Sequence, residues 1–415
     1  MRCRSVTAEA RNKPLHPALR ARSPSPRGGE EKSENRETGP PRGRILRGME
    51  LDQDACYRAV VARDARFDGK IFGGVRTTGI YCRPICPART PKRENIRFYR
   101  SAAEAEEAGF RPCLRCRPET APDMGAWRGT SNTVSRGLAL IEAGALDEGD
   151  VEALAGRLGV GERQLRRLFR RHLGAAPVSV AQTRRVLLAK QLIQETRMPM
   201  AEVAMAAGFG SVRRFNETFQ RLYRRPPSAL RRGTAPDAAP GEGVRLMLAY
   251  RPPYDWDGII AALAVRADPM ERVADGRWMR EIEGGGAVTV ERGAGERLVV
   301  QVSIPDITGL PGVLARVRRV FDLTADPAMI EAHLSADAAL APLVRKRPGL
   351  RLVGDWHVED PGALMSDRLD DEDERIAARA EAWRPWRAYG AAHLKAAGLS
   401  TAALIEQETR HDQAA

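Results

Sequence analysis

The sequence predicts a multidomain α+β protein, and three observations support that fold class. Four cysteines in two short-spaced pairs indicate a small zinc-bound α/β domain near the start of the chain. A basic segment with the apolar period of α-helices follows, which predicts an all-α domain. Beyond a linker rich in Gly, Pro and Ala, strand-like and helical segments predict an α+β domain. The chain has 415 residues, 43% of them apolar, which is enough for several modest cores.

Composition divides the chain into six regions. We expect a disordered basic tail at 1–48, a zinc domain at 49–122, a helical domain at 130–232, a linker at 233–243, an α+β domain at 244–356 and a shorter region at 357–415. The tail has six prolines and a net charge of +7, and it lacks the apolar core of a signal peptide. Because Met49 is the first residue of the predicted zinc domain, we interpret the tail as an upstream translation artefact, with a basic DNA-tethering arm as the alternative.

The cysteine spacing predicts a metal site. Cys82 and Cys86 are separated by three residues, Cys113 and Cys116 by two, and 26 residues lie between the pairs. Such pairs commonly place four thiolates around Zn²⁺. A disulfide framework fits poorly, because the chain is long and has only two other cysteines. We therefore expect a Zn²⁺ cofactor and a reducing, cytoplasmic setting.

The residues around the cysteines add a resemblance to a known family. The stretch VRTTGIYCRPICPARTPKRENIRFYRSAAEAEEAGFRPCLRCRPE, within roughly 51–120, resembles the amino-terminal domain of Ada, a family of methyl phosphotriester repair proteins and adaptive-response regulators. The resemblance implies that Cys82 is both a zinc ligand and the methyl acceptor. It makes Cys86, Cys113 and Cys116 the other ligands. It also places Thr78 and Arg89 beside the phosphotriester, and Arg111 and Arg115 on the neighbouring backbone.

The implied chemistry is physically reasonable. Zinc keeps a bound thiol deprotonated, so the nucleophile needs no neighbouring base. One Zn²⁺ with four thiolates has a formal charge of −2, which becomes −1 when Cys82 is methylated. We expect weaker repulsion of DNA phosphates and stronger binding by the surrounding arginines. These are Arg83, Arg89, Arg111, Arg115 and Arg117. The alternative is a purely structural zinc site with arginines that are ordinary solvated charges.

The helical domain is predicted to contain two helix-turn-helix units. In the first, Val151, Leu154, Ala155 and Leu158 form an apolar face, and a second helix follows the Gly159 turn. In the second unit, a helix at 201–207 precedes one capped by Ser211, and a long helix at 178–195 joins the units. The residues expected to face the core of the two second helices are Leu165, Leu168, Phe169, Leu173, Val212, Phe215, Phe219 and Leu222.

Charge on this domain indicates a nucleic-acid partner. Residues 161–232 hold sixteen Lys or Arg against four Asp or Glu. The pattern, including the closing FQRLYRRPPSALRR, is similar to an AraC-type DNA-binding domain. We expect exposed side chains of the second helices to contact double-stranded DNA. The candidates are Arg163, Gln164, Arg167, Arg213, Arg214 and Asn216.

The α+β region adds a second resemblance. The segments VRLMLAY, GRWMREIE, GGAVTVER and ERLVVQVSI indicate strands, and helices are expected at 256–267, 311–321, 327–334 and 340–346. The stretches LAYRPPYDWDGIIAALAVRA and VFDLTADPAMIEAHLSADAALAPLVRKRPGLRL resemble the amino-terminal domain of AlkA, a 3-methyladenine DNA glycosylase family. The ending AEAWRPWRAYGAAHL resembles that family's final helix, so we interpret 357–415 as a truncated, poorly folded remnant of its helical glycosylase domain.

The glycosylase features are incomplete. DPGALMSDRL resembles the segment around the family's catalytic aspartate, which implies that role for Asp367, but Asp367 also adjoins an ordinary acidic run. The resemblance also implies a helix-hairpin-helix that grips the DNA backbone before this aspartate. No LxGxGxxTA-type sequence of that kind occurs there. The positions expected to supply pocket aromatics hold Ala262, Lys395 and Ala396. We therefore expect little or no base excision.

The sequence is compatible with three functions. The favoured one is a DNA-alkylation sensor that acts once per molecule and then activates repair genes, with RNA polymerase as a further partner. The alternatives are a plain DNA-binding regulator with a structural zinc site and a bifunctional regulator that also excises alkylated bases. The sequence has no run of about 18 apolar residues, so we expect no membrane partner.

Overall fold

The structure is a computed structural model that describes residues 46–47, 50–122, 132–231, 243–266, 268–358 and 380–399. Nearly all of the basic tail, most of the predicted linker and Asp367 lie outside these ranges. The predictions made for them are therefore not addressed by the structure. Among the described residues, no helix is both long and apolar enough to span a membrane.

The cysteine-containing domain is a small sheet flanked by two helices. It comprises β1 (Leu46–Arg47), β2 (Glu50–Leu51), α1 (Gln53–Val61), β3 (Phe72–Val75), β4 (Ile80–Cys82), β5 (Ile96–Tyr99), α2 (Ala102–Glu107) and β6 (Arg111–Pro112). The order of the four-stranded sheet is β5-β3-β4-β6, with β4 and β6 parallel and the other pairs antiparallel. The predicted cap of α2 is confirmed, because the Ser101 side chain accepts a hydrogen bond from the Glu104 amide.

The middle domain is helical, as predicted. Its helices are α3 (Asn132–Glu142), α4 (Val151–Arg157), α5 (Glu162–Leu173), α6 (Pro177–Glu195), α7 (Met200–Ala206) and α8 (Val212–Tyr223). Helices α4–α5 and α7–α8 are the two helix-turn-helix units, and α6 joins them. Phe169 and Phe215 are fully buried, as their spacing predicts. The prediction for Val212 was wrong. It is 37% exposed, because it opens α8 within a stretch, 210–214, that is exposed throughout.

The third domain packs helices against one antiparallel sheet. Its elements are β7 (Val244–Ala249), α9 (Trp256–Val265), β8 (Glu271–Ala274), β9 (Arg277–Glu281), β10 (Ala287–Arg292), β11 (Arg297–Ser303), α10 (Leu310–Val320), α11 (Pro327–Leu334) and α12 (Ala341–Lys346). The strand order is β7-β11-β10-β9-β8. Trp278 and Phe321 meet edge-to-face in the core, with ring centroids 5.4 Å apart. The α+β architecture is therefore as predicted.

Strand β8 is an addition to the sequence prediction. Its hairpin with β9 turns through Asp275 and Gly276, at φ 53° and 70°, and pairs Ala274 with Arg277. Two residues at positive φ form the tight turn that matches the twist of a hairpin, and Asp-Gly is a favoured pair for it. The Asp-Gly pair was the available signal. The strand itself has little apolar alternation because it lies at the sheet edge.

Residues 380–399 are folded, which corrects the expectation of a poorly folded remnant for that part of 357–415, whereas 359–379 and 400–415 lie outside the described residues. Residues 380–399 include α13 (Arg387–Ala396), which packs against α12. Trp383 is 1% exposed, and its indole N–H donates to Asp337 at 2.7 Å. Tyr389 is also buried and donates its hydroxyl proton to Asp322. These aromatic anchors give the segment a core with α11 and α12, which its apolar spacing alone did not reveal.

Candidate metal centre

Parallel pairing of two short strands brings the cysteine pairs together. Cys82 is the last residue of β4, and Cys113 directly follows β6. The Cys113 amide donates to the Tyr81 carbonyl at 3.0 Å, which continues the β4–β6 ladder. Cys86 and Cys116 lie in the loops that leave these strands. The four Sγ atoms all lie within 4.8 Å of one another.

The donor set fits zinc. Tetrahedral Zn–S bonds of about 2.3 Å place sulfur atoms about 3.8 Å apart, and four thiolates are a standard zinc set. Two backbone amides support the sulfurs, since Arg83 N lies 3.4 Å from Cys116 Sγ and Arg115 N lies 3.3 Å from Cys113 Sγ. Amide donors of this kind stabilise negative charge on sulfur. The residues present are therefore suited to hold Zn²⁺, which keeps bound thiols in the thiolate form.

The cysteines differ in their access to solvent. Cys113 and Cys116 are 7% and 8% exposed, whereas Cys82 and Cys86 are half-buried. As whole residues, Cys82 and Cys86 are therefore more exposed than Cys113 and Cys116.

Two arginines expected to bind DNA have other roles. Arg83 is buried, and its guanidinium pairs with Asp68 and donates to the Cys116 carbonyl at 3.2 Å. Arg117 forms ion pairs with Glu119 at 3.0 Å and with Glu195 at 2.6 Å. Both expectations were wrong, because sequence alone could not distinguish an exposed arginine from one paired with carboxylates inside the protein.

The other predicted contacts of this domain lie near the surface. Thr78 is exposed in the turn between β3 and β4, and its hydroxyl donates to the Val75 carbonyl at 3.4 Å. Arg89 and Arg115 are also exposed. Arg111 is half-buried, and its guanidinium lies 5.6 Å from the centre of the Tyr223 ring, at the end of α8. The expected contacts of these side chains with DNA stay predictions.

The predicted contacts of the helical domain form two exposed sets. One set lies on α5 and the other on α8: Arg163, Gln164, Arg167, Arg213, Arg214 and Asn216. Arg213 is already bonded to Glu217 at 2.8 Å, four residues along the helix. Because that pair is exposed, it contributes little stability and leaves the arginine available to a phosphate. These assignments also stay predictions.

Sequence reasoning missed the polar junction between the zinc domain and α6. Lys190 of α6 is fully buried and donates to the Cys113 carbonyl at 3.0 Å. Glu106 of α2 is half-buried and accepts hydrogen bonds from the Tyr81 hydroxyl, at 3.0 Å, and the Thr183 hydroxyl, at 2.8 Å. The one available signal was a lysine within an otherwise apolar stretch of α6. The sequence did not reveal its partner.

The glycosylase positions gain no support as a site from the described residues. Ala262, Lys395 and Ala396 are exposed small or charged side chains, and Asp367 is outside the described ranges. The single group of His, Cys, Asp or Glu side chains with metal-binding geometry among the described residues is the cysteine cluster.

Three family models match successive segments of the chain. A family model described as the metal binding domain of Ada matches 55–119, a helix-turn-helix domain matches 154–233 and the AlkA N-terminal domain matches 245–357. The first match, together with the four-sulfur geometry, identifies the metal as Zn²⁺.

Individual relatives match parts of the chain. A probable bifunctional transcriptional activator/DNA repair enzyme AlkA of Mycobacterium tuberculosis is 40% identical over 312 residues, which are 73% of this chain and 63% of that protein. The bifunctional transcriptional activator/DNA repair enzyme Ada of Escherichia coli is 41% identical over 127 residues, which are 31% of this chain and 34% of that protein. The chain thus spans less than two thirds of the length of either relative.

A crystal structure of the methylated N-ADA/DNA complex is 37% identical in sequence. Its match covers 32% of this chain and 96% of its own, with a TM-score of 0.17. The chain therefore contains, in this order, segments that match the metal binding domain of Ada, a helix-turn-helix domain and the AlkA N-terminal domain.

Proposed function

We propose that the protein is a DNA-alkylation sensor that repairs methyl phosphotriesters once per molecule and then activates transcription. The observation that supports this most strongly is a four-cysteine cluster suited to zinc in an Ada-type domain, in which Cys82 is half-buried. The helix-turn-helix domain in the same chain supplies a surface for promoter DNA.

The proposed reaction is a direct displacement at carbon. The Cys82 thiolate attacks the methyl group, an S–C bond forms and the C–O bond to phosphorus breaks. The electron pair of that bond stays on the phosphate oxygen, which regains its ordinary negative charge. Zinc, when bound, supplies the thiolate at neutral pH and needs no general base. Because the thioether has no evident route back to the thiolate, each molecule would act once.

Residues of the chain would hold and orient the reacting groups. The amides of Arg83 and Arg115 fix the sulfurs of Cys116 and Cys113, and β4 fixes the direction of Cys82. Thr78 and Arg89 are exposed and would contact the phosphotriester. Exposure alone leaves Cys82 and Cys86 equivalent, and the resemblance of YCRPICPAR to the family favours Cys82.

The outcome of repair is stronger DNA binding. Methylation would reduce the formal charge of the zinc cluster from −2 to −1, which weakens its repulsion of phosphates. The exposed arginines of α5 and α8 would then hold promoter DNA, with bases contacted by Gln164, Asn216 and neighbouring arginines. As an activator, the bound protein would recruit RNA polymerase.

The decisive experiment is intact-mass measurement and peptide mapping of zinc-loaded protein after incubation with DNA that carries methyl phosphotriesters. We expect one added methyl group, on the peptide containing Cys82. Cys82→Ala should take up none, whereas Cys56→Ala, which alters a buried cysteine outside the cluster, should behave as the wild type.

Two other outcomes of this experiment would change the proposal. Methylation of the Cys86 peptide would move the acceptor to the other half-buried cysteine. No transfer to zinc-loaded protein would contradict the repair function and leave a DNA-binding regulator with a structural zinc site.

We also expect no release of alkylated bases. A flipped base needs a stacking pocket, and the positions expected to supply aromatics hold Ala262, Lys395 and Ala396. Incubation with DNA that contains 3-methyladenine should therefore release base no faster than buffer alone. Release that is lost in Asp367→Asn and retained in Asp370→Asn would restore the glycosylase alternative.

A further inference from the structure

Helix α6 meets the cysteine cluster through a buried lysine. Lys190 lies near the middle of the helix that joins the two helix-turn-helix units, and its side chain is 0% exposed. Its ammonium donates to the Cys113 carbonyl at 3.0 Å and forms an ion pair with Glu119, whose side chain is 1% exposed. An unpaired ammonium is strongly unfavourable in a protein interior. Lys190 therefore depends on partners that belong to the zinc domain.

The ion pair continues into a line of alternating charges. Glu119 also pairs with Arg117 at 3.0 Å, and Arg117 pairs with Glu195 at the end of α6 at 2.6 Å. Glu195 in turn accepts a hydrogen bond from the Met247 amide of β7 at 3.1 Å. The four side chains are at most 16% exposed and their formal charges cancel. This junction therefore connects a cysteine of the metal centre to α6 and to the first strand of the third domain.

The electrostatic energy of Lys190 depends on the charge of the nearby cysteine cluster. Electrostatic interactions are stronger in the protein interior than in water, so the loss of one negative charge at the cluster is felt by a buried cation beside it. The junction itself is neutral. A change from −2 to −1 therefore weakens the attraction of the cluster for Lys190 without changing any charge in the junction.

We propose that Lys190 is the positioning residue that transmits the state of the cluster to the helix-turn-helix domain. In the unmethylated protein it holds α6 against the zinc domain, and methylation loosens that hold so that both units adjust to DNA. This inference rests on the function proposed above. It differs from simple repulsion between cluster and phosphates, which would need no lysine on α6.

The test compares charge-removing and charge-keeping variants of the full chain. Lys190→Met with Glu119→Gln removes the ion pair and leaves no buried charge without a partner at these two positions. Lys190→Arg keeps the charge. The matched control, Arg93→Met with Asp54→Asn, removes an ion pair of the zinc domain that does not involve α6. Zinc content and methyl uptake by mass are measured first, and promoter DNA affinity is then measured before and after methylation.

We expect the double variant to take up one methyl group as the wild type does. Its unmethylated form should bind DNA more tightly than the unmethylated wild type, so that its gain on methylation is at least fivefold smaller. Lys190→Arg should retain most of the gain and the control pair all of it. A zinc-loaded double variant with the wild-type gain would overturn the proposal.

Two further measurements do not depend on methyl transfer, and the second of them does not use the double variant. Cys82→Ala lowers the formal charge of the zinc cluster to −1 without methyl transfer, so it should raise DNA affinity in the wild-type background and much less with Lys190→Met and Glu119→Gln. Hydrogen exchange should show weaker protection of α6 in Cys82→Ala than in the wild type, and little change in α4. Equal protection of α6 would contradict the coupling. Failure of methyl uptake alone would instead contradict the function proposed above.

Discussion

At the scale of single residues, burial decides what each charge near the zinc domain does. Arg83 and Arg89 both follow the first cysteines, yet Arg83 is buried against Asp68 and Arg89 is exposed. The motif predicted the ligand set because spacing alone constrains it. The motif could not predict the separation of the arginines, because that depends on carboxylates distant in sequence.

Glu106 gives a prediction at this scale. It is half-buried, and desolvation of its carboxyl group raises its pKa to about 7, against the opposing effect of hydrogen bonds from Thr183 and Tyr81. Since the folded pKa lies above the ordinary 4.5, ionisation of Glu106 costs stability. The cost is absent below pH 4.5, grows between pH 4.5 and about 7 and stays constant above that.

Glu106→Gln should therefore gain stability relative to the wild type as pH rises through this window. The expected change in the difference between their free energies of unfolding is up to about 3 kcal/mol, measured by urea denaturation between pH 4 and 8. The difference at pH 4 serves as the internal control, because it reports only the altered hydrogen bonds. A difference that does not change with pH would show that burial does not perturb Glu106.

At the scale of helices and strands, periodicity predicted most elements and few of their contacts. Helix α5 is clearly amphipathic, so its buried face, including Leu165 and Phe169, was predicted correctly. Helix α6 is different, because buried side chains surround much of it and include Thr183 and Lys190. A helix buried on several sides has no single apolar stripe. Its role as the junction of three domains therefore could not be derived from its sequence.

The same limit explains the final helix. Its expected disorder rested on the shortness of the remnant, whereas Trp383 and Tyr389 bond to Asp337 and Asp322, which lie 46 and 67 positions earlier. Such long-range polar anchors fix a short segment without a strong local pattern. Strand β8 was missed although the Asp-Gly turn that follows it is visible in the sequence. As an edge strand, β8 lacks the apolar alternation that would have predicted it.

At the scale of the whole molecule, the described domains are joined by buried polar contacts around α6. The zinc domain contacts α6 through Glu106, Lys190 and Arg117, and it contacts the third domain through Arg251, which donates to the Asp68 carbonyl at 3.3 Å. Arg251 is itself 5% exposed. Domain identity was predictable from local motifs. This arrangement was not, because every one of these contacts joins residues that are distant in sequence.

The arrangement makes zinc a determinant of stability beyond its own domain. Binding of a structural zinc contributes directly to the folding free energy of the residues that hold it. If the zinc domain loosens, Lys190 and Glu195 of α6 lose their partners and become costly buried charges. Chelation should therefore raise amide exchange at least tenfold in 53–120 and also in α6, while the paired strands β9 and β10 of the third domain change little. Readdition of Zn²⁺ should restore the original rates. Faster exchange confined to 53–120 would mean that the zinc domain folds independently and that its contacts with α6 contribute little stability.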